Sequence, residues 1–247
     1  MPTDANRATP RREHRVATDS VRVASHDGDE LDAHLVIPAR GAGPGIVLLH
    51  EAGGVTGYVR DVADRLAGLG YVTLVPDLFW RIERNVDLQN DKDMTRALDL
   101  IGRFDPRAGV RDVDAALSWM RARPEVDGPV GVVGFCFGGG LTYGVACELD
   151  PACAVAYYGV GVELLAERID EVTCPTLLQF GSTDVFIPPD SLERIQVAAG
   201  TKPNVEIEVY DSGHAFDNPY AEWHAPEVAA RAWDRTDAFL ATHLASS

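Results

Sequence analysis

Apolar residues along the chain follow two patterns. The runs GIVLLH (45–50), YVTLVP (71–76) and PVGVVG (129–134) are almost continuously apolar, which is typical of strands buried on both faces of a sheet. In GYVRDVADRLAGLG (57–70), apolar residues instead recur every three or four positions, the spacing of an amphipathic helix. Alternation of such strands and helices through short connections predicts a mostly parallel sheet with helices on both faces.

The same patterns predict the remaining elements. VRVAS (21–25) and LDAHLVIP (31–38) form a hairpin with Gly28 in its turn. Further strands are predicted in CAVAYYG (153–159), PTLLQFG (175–181) and NVEIEVY (204–210), and further helices in MTRALDLIGRF (94–104), GVRDVDAALSWMRARP (109–124), LTYGVACEL (141–149), DSLERIQVAAG (190–200) and APEVAARAWDRTDAFLATHL (225–244). Because no repeat or linker divides the chain, we expect a flexible tail at residues 1–18 and a single domain at 19–247.

Composition narrows the classes of partner. With 22 basic and 38 acidic residues, the formal net charge is −16, which disfavours nucleic acid and anionic membranes. No apolar stretch reaches the ~18–20 residues that span a bilayer, and no apolar segment follows the arginine pair near the N-terminus. The four cysteines have neither zinc-site nor disulfide spacing. We expect a cytoplasmic protein without metal or organic cofactor, as a monomer or small homo-oligomer.

One turn carries candidate chemistry. GFCFGGG (134–140) follows the apolar run PVGVVG and has the small-x-nucleophile-x-small pattern of a nucleophile elbow, with Cys136 at its centre. Gly134 and Gly138 let such a turn pass close to its neighbours. A lone cysteine is more often a small buried residue, which is our interpretation of the other three, but the elbow favours a nucleophile at Cys136.

Other polar residues follow the predicted strands, where ligands bind in such sheets. Asp184 and His214 come after Cys136 in the order of α/β-hydrolase triads, with the imidazole as base and the carboxylate as its orienter. The backbone N–H groups of Phe137 and Ala52 are candidate oxyanion donors. Glu51, directly after GIVLLH, is placed unusually enough to favour a functional role.

The chain resembles the dienelactone hydrolase family. The similarity lies in GIVLLHEAGGV, YVRDVADRLAGLGYVTLVPDLFWR, AGVRDVDAALSWMRA, VGVVGFCFGGG, YYGVG, GSTDVFIP and GHAF, which run in the same order from about residue 30 onward. The resemblance implies an α/β-hydrolase fold with Cys136, Asp184 and His214 as the triad. It further implies that Glu51 controls thiol protonation and that Arg81 binds a substrate carboxylate. Where the family's best-known members have a second such arginine, this chain has Asn218.

Several functions remain open at this point. The family hydrolyses dienelactones to maleylacetate, so the resemblance implies a hydrolase of a small lactone or activated ester that acts through an acyl-cysteine. A general carboxylesterase or a thioesterase would use the same residues. A third alternative is a binding protein that keeps the fold without catalysis.

Overall fold

The computed structural model describes residues 17–89 and 93–245. Eight strands form one sheet in the order β1-β2-β4-β3-β5-β6-β7-β8. The strands are β1 (Ala17–Ala24), β2 (Glu30–Ile37), β3 (Gly43–Leu49), β4 (Val72–Pro76), β5 (Val126–Phe135), β6 (Ala154–Tyr157), β7 (Thr176–Gly181) and β8 (Val205–Tyr210). β2 pairs antiparallel with β1 and β4, and every other pair is parallel. The expected mostly parallel sheet of an α/β-hydrolase fold is confirmed.

Helices cover both faces of the sheet. They are α1 (Gly57–Gly68), α2 (Met94–Arg103), α3 (Pro106–Arg121), α4 (Phe137–Glu148), α5 (Val162–Leu165), α6 (Pro189–Ala199) and α7 (Pro226–His243). Successive residues of a strand point to opposite faces. Ile46 and Leu48 of β3 therefore pack in the cluster that contains residues of α1 and α7, whereas Val47 and Leu49 pack with α3. This two-sided burial explains why the sequence of β3 is continuously apolar.

All predicted strands and helices are present, with small shifts at their ends. α3 begins at Pro106, because the Asp105 side chain accepts a hydrogen bond from the Arg107 N–H and caps the helix. Within the described ranges, two elements were not predicted, α5 and a 3₁₀ helix at Ala166–Glu171. None of the described helices is both long and apolar enough to span a bilayer.

The predicted tail ends two residues too late. Ala17 and Thr18 pair with Ile37 and Val36 as the first residues of β1. The rest of the predicted tail, residues 1–16, lies outside the described residues.

Candidate active site

Cys136 occupies a sharp turn between β5 and α4. Its backbone has φ 53° and ψ −115°, a combination that non-glycine residues adopt only under constraint from their surroundings. The surrounding backbone supplies that constraint, since the Cys136 N–H donates to the Tyr157 carbonyl oxygen at 3.0 Å and its own carbonyl accepts from Gly140 and Val160. The side chain is partly exposed. This is the conformation expected of a nucleophile elbow.

The elbow glycines are required by close packing. A Cβ atom at Gly134 would lie 2.3 Å from the Gly138 carbonyl oxygen, and one at Gly138 would lie 2.4 Å from the Leu49 carbonyl oxygen. Both distances are shorter than any side chain tolerates. The other three cysteines are buried, and burial raises the pKa of Cys147 to about 11 and that of Cys153 to about 12. Their interpretation as small buried residues is confirmed.

His214 and Asp184 form a buried pair on the loops after β8 and β7. His214 Nδ1 lies 2.7 Å from Asp184 Oδ2, and Asp184 Oδ1 accepts a hydrogen bond from the Phe186 N–H at 2.8 Å. Burial of the ring opposes its charged form, but the Asp184 carboxylate and the neighbouring Cys136 sulfur outweigh it and raise the pKa of His214. The other ring nitrogen, Nε2, has no hydrogen-bond partner among the described atoms. The histidine is therefore oriented on one side and free to exchange a proton on the other.

The two expected oxyanion donors both line the same cavity as Cys136. Phe137 is the first residue of α4, and Ala52 lies in the turn after β3. Neither backbone N–H donates to another described group, so both are available to a ligand. His50 holds the Ala52 turn in place. Because the Leu78 N–H donates to His50 Nε2 at 3.0 Å, the ring proton is on Nδ1, which donates to the Glu51 carbonyl oxygen at 2.7 Å.

Glu51 lies in the cavity wall, and none of the described cationic side chains forms an ion pair with it. Its carboxylate accepts hydrogen bonds from Asn218 Nδ2 at 2.9 Å and from the Tyr158 hydroxyl at 3.3 Å. Burial raises the pKa of Glu51 to about 7. Asn218 thus lies inside the site, where the resemblance places the family's second arginine, and it donates to Glu51 as a neutral amide.

The expectation for Arg81 is corrected by the structure. Its guanidinium donates to both carboxylate oxygens of Asp112, at 3.1 and 2.9 Å, to Ser25 Oγ at 2.7 Å, and to Asp27. The buried Asp112 belongs to α3. Arg81 also stacks 4.1 Å from the ring centre of Trp80 and is not part of the cavity wall. Acidic partners therefore occupy the group that was expected to bind a substrate carboxylate.

The cavity has a volume of about 600 Å³. Its wall includes Glu51, Ala52, Cys136, Phe137 and His214, so five of the seven predicted site residues meet there, with Asp184 behind the histidine. The described part of the chain contains no cluster of three or more metal-ligating side chains. The site thus places a thiol, an imidazole bonded to a carboxylate, and two backbone N–H groups without a described acceptor around one cavity.

Sequence reasoning missed a row of buried groups beside Glu51. The Tyr58 hydroxyl donates to Asp217 Oδ2 at 2.8 Å and lies 3.3 Å from the Tyr158 hydroxyl, which in turn bonds to Glu51. Tyr58 belongs to the apolar face of α1 and has no distinguishing pattern. Asp217 lies three residues after His214 and directly before Asn218, and its sequence context does not distinguish it either.

Backbone strain is concentrated around the site. Four non-glycine residues in the described ranges have positive φ, namely Asn85, Cys136, Tyr158 and Ala215. Three of the four belong to the site or adjoin it. Cys136 is a site residue, Tyr158 donates a hydrogen bond to Glu51, and Ala215 follows His214. Such clustering is characteristic of functional sites.

Comparison with known proteins identifies relatives over nearly the whole chain. The sequence profile of the dienelactone hydrolase family matches residues 31–244. A carboxymethylenebutenolidase of Pseudomonas sp. strain P51 is 34% identical over 221 residues, which cover 89% of this chain and 93% of the relative. One from Pseudomonas putida is 34% identical over 227 residues, which cover 91% and 96%. The crystal structure of a candidate dienelactone hydrolase from Klebsiella pneumoniae has a TM-score of 0.79 at 28% identity and covers 92% of this chain and 99% of that one.

Proposed function

Because the chain belongs to the dienelactone hydrolase family, we propose that it hydrolyses a small lactone or activated ester through a covalent acyl-cysteine at Cys136. One observation carries this proposal. A partly exposed cysteine on a strained elbow shares a cavity with a histidine whose Nδ1 is bonded to a buried aspartate and whose Nε2 is free. The names of the 34% identical relatives make dienelactone the first lactone to test.

The first half of the proposed reaction acylates the cysteine. His214 Nε2 accepts the thiol proton, and Cys136 Sγ attacks the carbonyl carbon of the substrate. The negative charge that develops on the carbonyl oxygen is held by the N–H groups of Phe137 and Ala52. The tetrahedral intermediate then collapses, the carbon–oxygen ester bond breaks, and the imidazolium returns its proton to the leaving oxygen. In a lactone that oxygen stays attached to the acyl group.

The second half releases the acid. A water molecule gives a proton to His214 Nε2 and attacks the thioester carbon, and the same two N–H groups hold the oxyanion. Cys136 leaves as the thiolate and recovers its proton from the imidazolium. Throughout both halves Asp184 keeps the imidazole in one orientation and stabilises its charged form. An enolate or phenolate leaving group suits this chemistry. The tetrahedral intermediate carries both the sulfur and the ester oxygen, and it expels a thiolate more readily than an ordinary alkoxide.

The covalent step is tested by replacing the nucleophile. The parent protein is mixed with cis- and trans-dienelactone, p-nitrophenyl acetate and a thioester, and intact mass spectrometry of quenched samples detects the acyl adduct. Cys136→Ala should lose the adduct and at least about 10³-fold in kcat/KM. Cys147→Ala, which removes a buried thiol away from the cavity, is the matched control and should retain both. An undiminished rate in Cys136→Ala would exclude covalent catalysis by this residue.

The triad is tested by coupling. His214→Ala and Asp184→Asn should each reduce kcat severely, and the double variant should lose little more than the worse single variant, because residues that act as one unit are not additive. Losses that multiply in the double variant would show that Asp184 acts independently of the histidine.

A further inference from the structure

Exposed apolar side chains are concentrated at the mouth of the cavity. Ten large apolar side chains are exposed in the described ranges. Six of them line the cavity, namely Met94, Leu98, Val160, Phe186, Tyr220 and Trp223. They come from α2, from the loops after β6, β7 and β8, and from no other part of the surface. A contiguous exposed apolar patch usually marks a binding site.

The ionisable side chains of the cavity wall are mostly acidic, and its one described basic group, His214, is paired with Asp184. Glu51, Asp93 and Glu222 belong to its wall, and no arginine or lysine does among the residues that the structure describes. Lys92 lies outside those residues. Arg81 is neutralised by Asp112 and Asp27. A substrate carboxylate would have to leave water for a cavity with neighbouring carboxylates, in which the one described basic group, His214, already has Asp184 as its partner.

An uncharged apolar group has the opposite preference. Contact with the six apolar side chains removes its surface and theirs from water. The cavity volume of about 600 Å³ also falls within the range of pockets that enclose a drug-sized ligand. A minimal acetyl ester would leave most of that volume empty.

We propose that the preferred substrate of this site is an uncharged lactone or ester whose acyl part carries an apolar alkyl or aryl group that covers the cavity mouth. This inference rests on the proposed hydrolase function and specifies its substrate class. The apolar surface at the mouth is then a specificity-determining surface, to which α2 contributes Leu98 and the loop after β8 contributes Trp223.

A matched series of esters tests the substrate class. In p-nitrophenyl acetate, butyrate and octanoate only the apolar length changes, whereas p-nitrophenyl hemisuccinate has the length of butyrate and adds a carboxylate. We expect kcat/KM to rise about tenfold or more from acetate to octanoate and to be about tenfold or more lower for hemisuccinate than for butyrate. Leu98→Ser should remove most of the octanoate advantage through KM. Val197→Ser, at an exposed position of α6 outside the cavity, is the matched control and should retain it.

The outcomes separate this inference from the proposed function. Loss of turnover in Cys136→Ala together with equal rates along the series, or with hemisuccinate ahead of butyrate, would overturn the substrate class and leave the hydrolase. A hemisuccinate preference that disappears in Lys92→Gln would overturn it in the same way, by assigning the charge to that lysine. Turnover that survives Cys136→Ala would instead refute the proposed function.

A second observation is independent of the cavity mouth. Glu51 and Asp217 are joined by three hydrogen-bond contacts through two tyrosine hydroxyls, with distances of 3.3 Å between Glu51 and Tyr158, 3.3 Å between the two hydroxyls, and 2.8 Å between Tyr58 and Asp217. The two tyrosines and Asp217 are buried. Glu51 is partly exposed in the cavity wall, so among the described residues the row meets water only at that end.

The number of protons in this row is constrained. Three hydrogen bonds need three protons, and the two hydroxyls supply two. If both carboxyl groups are ionised, each tyrosine donates outward and the contact between the hydroxyls has no proton. If both are protonated, one proton has no acceptor within the row. One proton on the pair of carboxyl groups is the state in which all three bonds form and no proton is left without an acceptor in the row.

We infer that Glu51 and Asp217 share a single proton that the hydroxyls of Tyr58 and Tyr158 relay between them. When Asp217 holds the proton it donates to Tyr58, Tyr58 donates to Tyr158, and Tyr158 donates to the Glu51 carboxylate. A shift of these three protons along the three bonds moves one proton and one unit of negative charge between the two ends, and no bond other than O–H changes. Asp217 is then a proton reservoir for the carboxyl group in the wall of the reaction cavity.

The electrostatic surroundings favour one shared proton. Burial raises the pKa of both carboxyl groups, to about 7 for Glu51. The other titratable or charged groups that face the pair are Cys136, His214, Tyr157, Arg65 and His224. Among the described residues, none of the three basic groups His214, Arg65 and His224 forms a hydrogen bond or ion pair with the Glu51 or Asp217 carboxylate.

The test follows the pH dependence of Cys136 alkylation by iodoacetamide. A step is a change in alkylation rate over a narrow pH range, and the step that is absent in Glu51→Gln reports the ionisation of Glu51. Asp217→Asn supplies an N–H that can donate to Tyr58, and it removes the like charge of Asp217. Glu51 can then ionise while all three hydrogen bonds stay formed. We therefore expect the step to move about one pH unit lower. In a Tyr58→Phe background, Asp217→Asn should move the step by less than half as much. Tyr157→Phe, a buried tyrosine whose hydroxyl bonds to Ala232 and Thr236, is the control.

A merely structural Asp217 would give a different result. Asp217→Asn would then lower Tm and leave the step in place, which overturns the inference, as would a profile without any step dependent on Glu51. An equal shift with and without the Tyr58 hydroxyl would also overturn it, because the coupling would then be through space alone.

Discussion

At the scale of single residues, the pH dependence of stability depends on Glu51. Burial raises the pKa of this carboxyl group to about 7, so the folded chain holds the proton more tightly than the unfolded chain does. The stability that results is complete below the ordinary glutamate pKa and is lost as the pH rises through 7. Glu51→Gln cannot ionise, so we expect it to match the parent near pH 5 and to exceed its free energy of unfolding by about 1–3 kcal/mol at pH 9. Urea titrations at both pH values measure this, and a difference independent of pH would contradict it.

Prediction from sequence succeeded or failed residue by residue for physical reasons. Cys136, Asp184 and His214 each follow a strand of the parallel part of the sheet, and parallel strands bring their carboxyl ends to one edge. Arg81 also follows a strand, but its position is set by Asp112, a residue 31 positions away on α3. The contact between Tyr58 and Asp217 joins residues 159 positions apart. Local sequence patterns do not predict contacts between residues that are so far apart in the chain.

At the scale of elements, Asp112 connects α3 to the β1-β2 hairpin and to the loop after β4. Its buried carboxylate accepts from Ser25, from the Trp80 indole N–H at 2.9 Å and from Arg81. Asp112→Ala would leave the guanidinium without its buried partner, so we expect a loss of about 3–5 kcal/mol in the free energy of unfolding. Arg81→Met with Asp112→Leu should recover much of that loss. Denaturant unfolding of the single and double variants measures both. If Arg81 served the substrate instead, the double variant would selectively lose activity on hemisuccinate.

Element length also decided which elements the sequence could predict. The strands and the longer helices have enough residues to show a period, and all were found. α5 has four residues and the following 3₁₀ helix has six, too few for one face to repeat. They form where the chain turns from β6 back toward β7, and packing of Val162 and Ile169 against α4 and α6 holds them there.

At the scale of the whole molecule, the net charge of −16 should act on charged substrates before they reach the cavity. Raising sodium chloride from 0.05 to 0.5 M shortens the screening length from roughly 14 to 4 Å, so we expect kcat/KM for hemisuccinate to rise about 3–10-fold. The uncharged butyrate ester should change by less than about twofold. The ratio of the two rate constants across a salt series measures the effect. Parallel changes for both esters would show that salt acts on the enzyme and not on the encounter.

The left-handed residues around the cavity bear on how this chain tolerates mutation. Each non-glycine residue held at positive φ costs of the order of 1–2 kcal/mol, against a total stability of about 5–15 kcal/mol for a typical domain. Glycine would relieve the strain, but at Cys136 and Tyr158 it would remove a sulfur or a hydroxyl that the site uses. At Ala215 it would remove only a methyl group. Of the three positions, Ala215 is therefore the one at which a change to glycine gains stability most directly. A descendant of this sequence with that change could accept more destabilising mutations elsewhere. Its backbone beside the histidine would be less rigid.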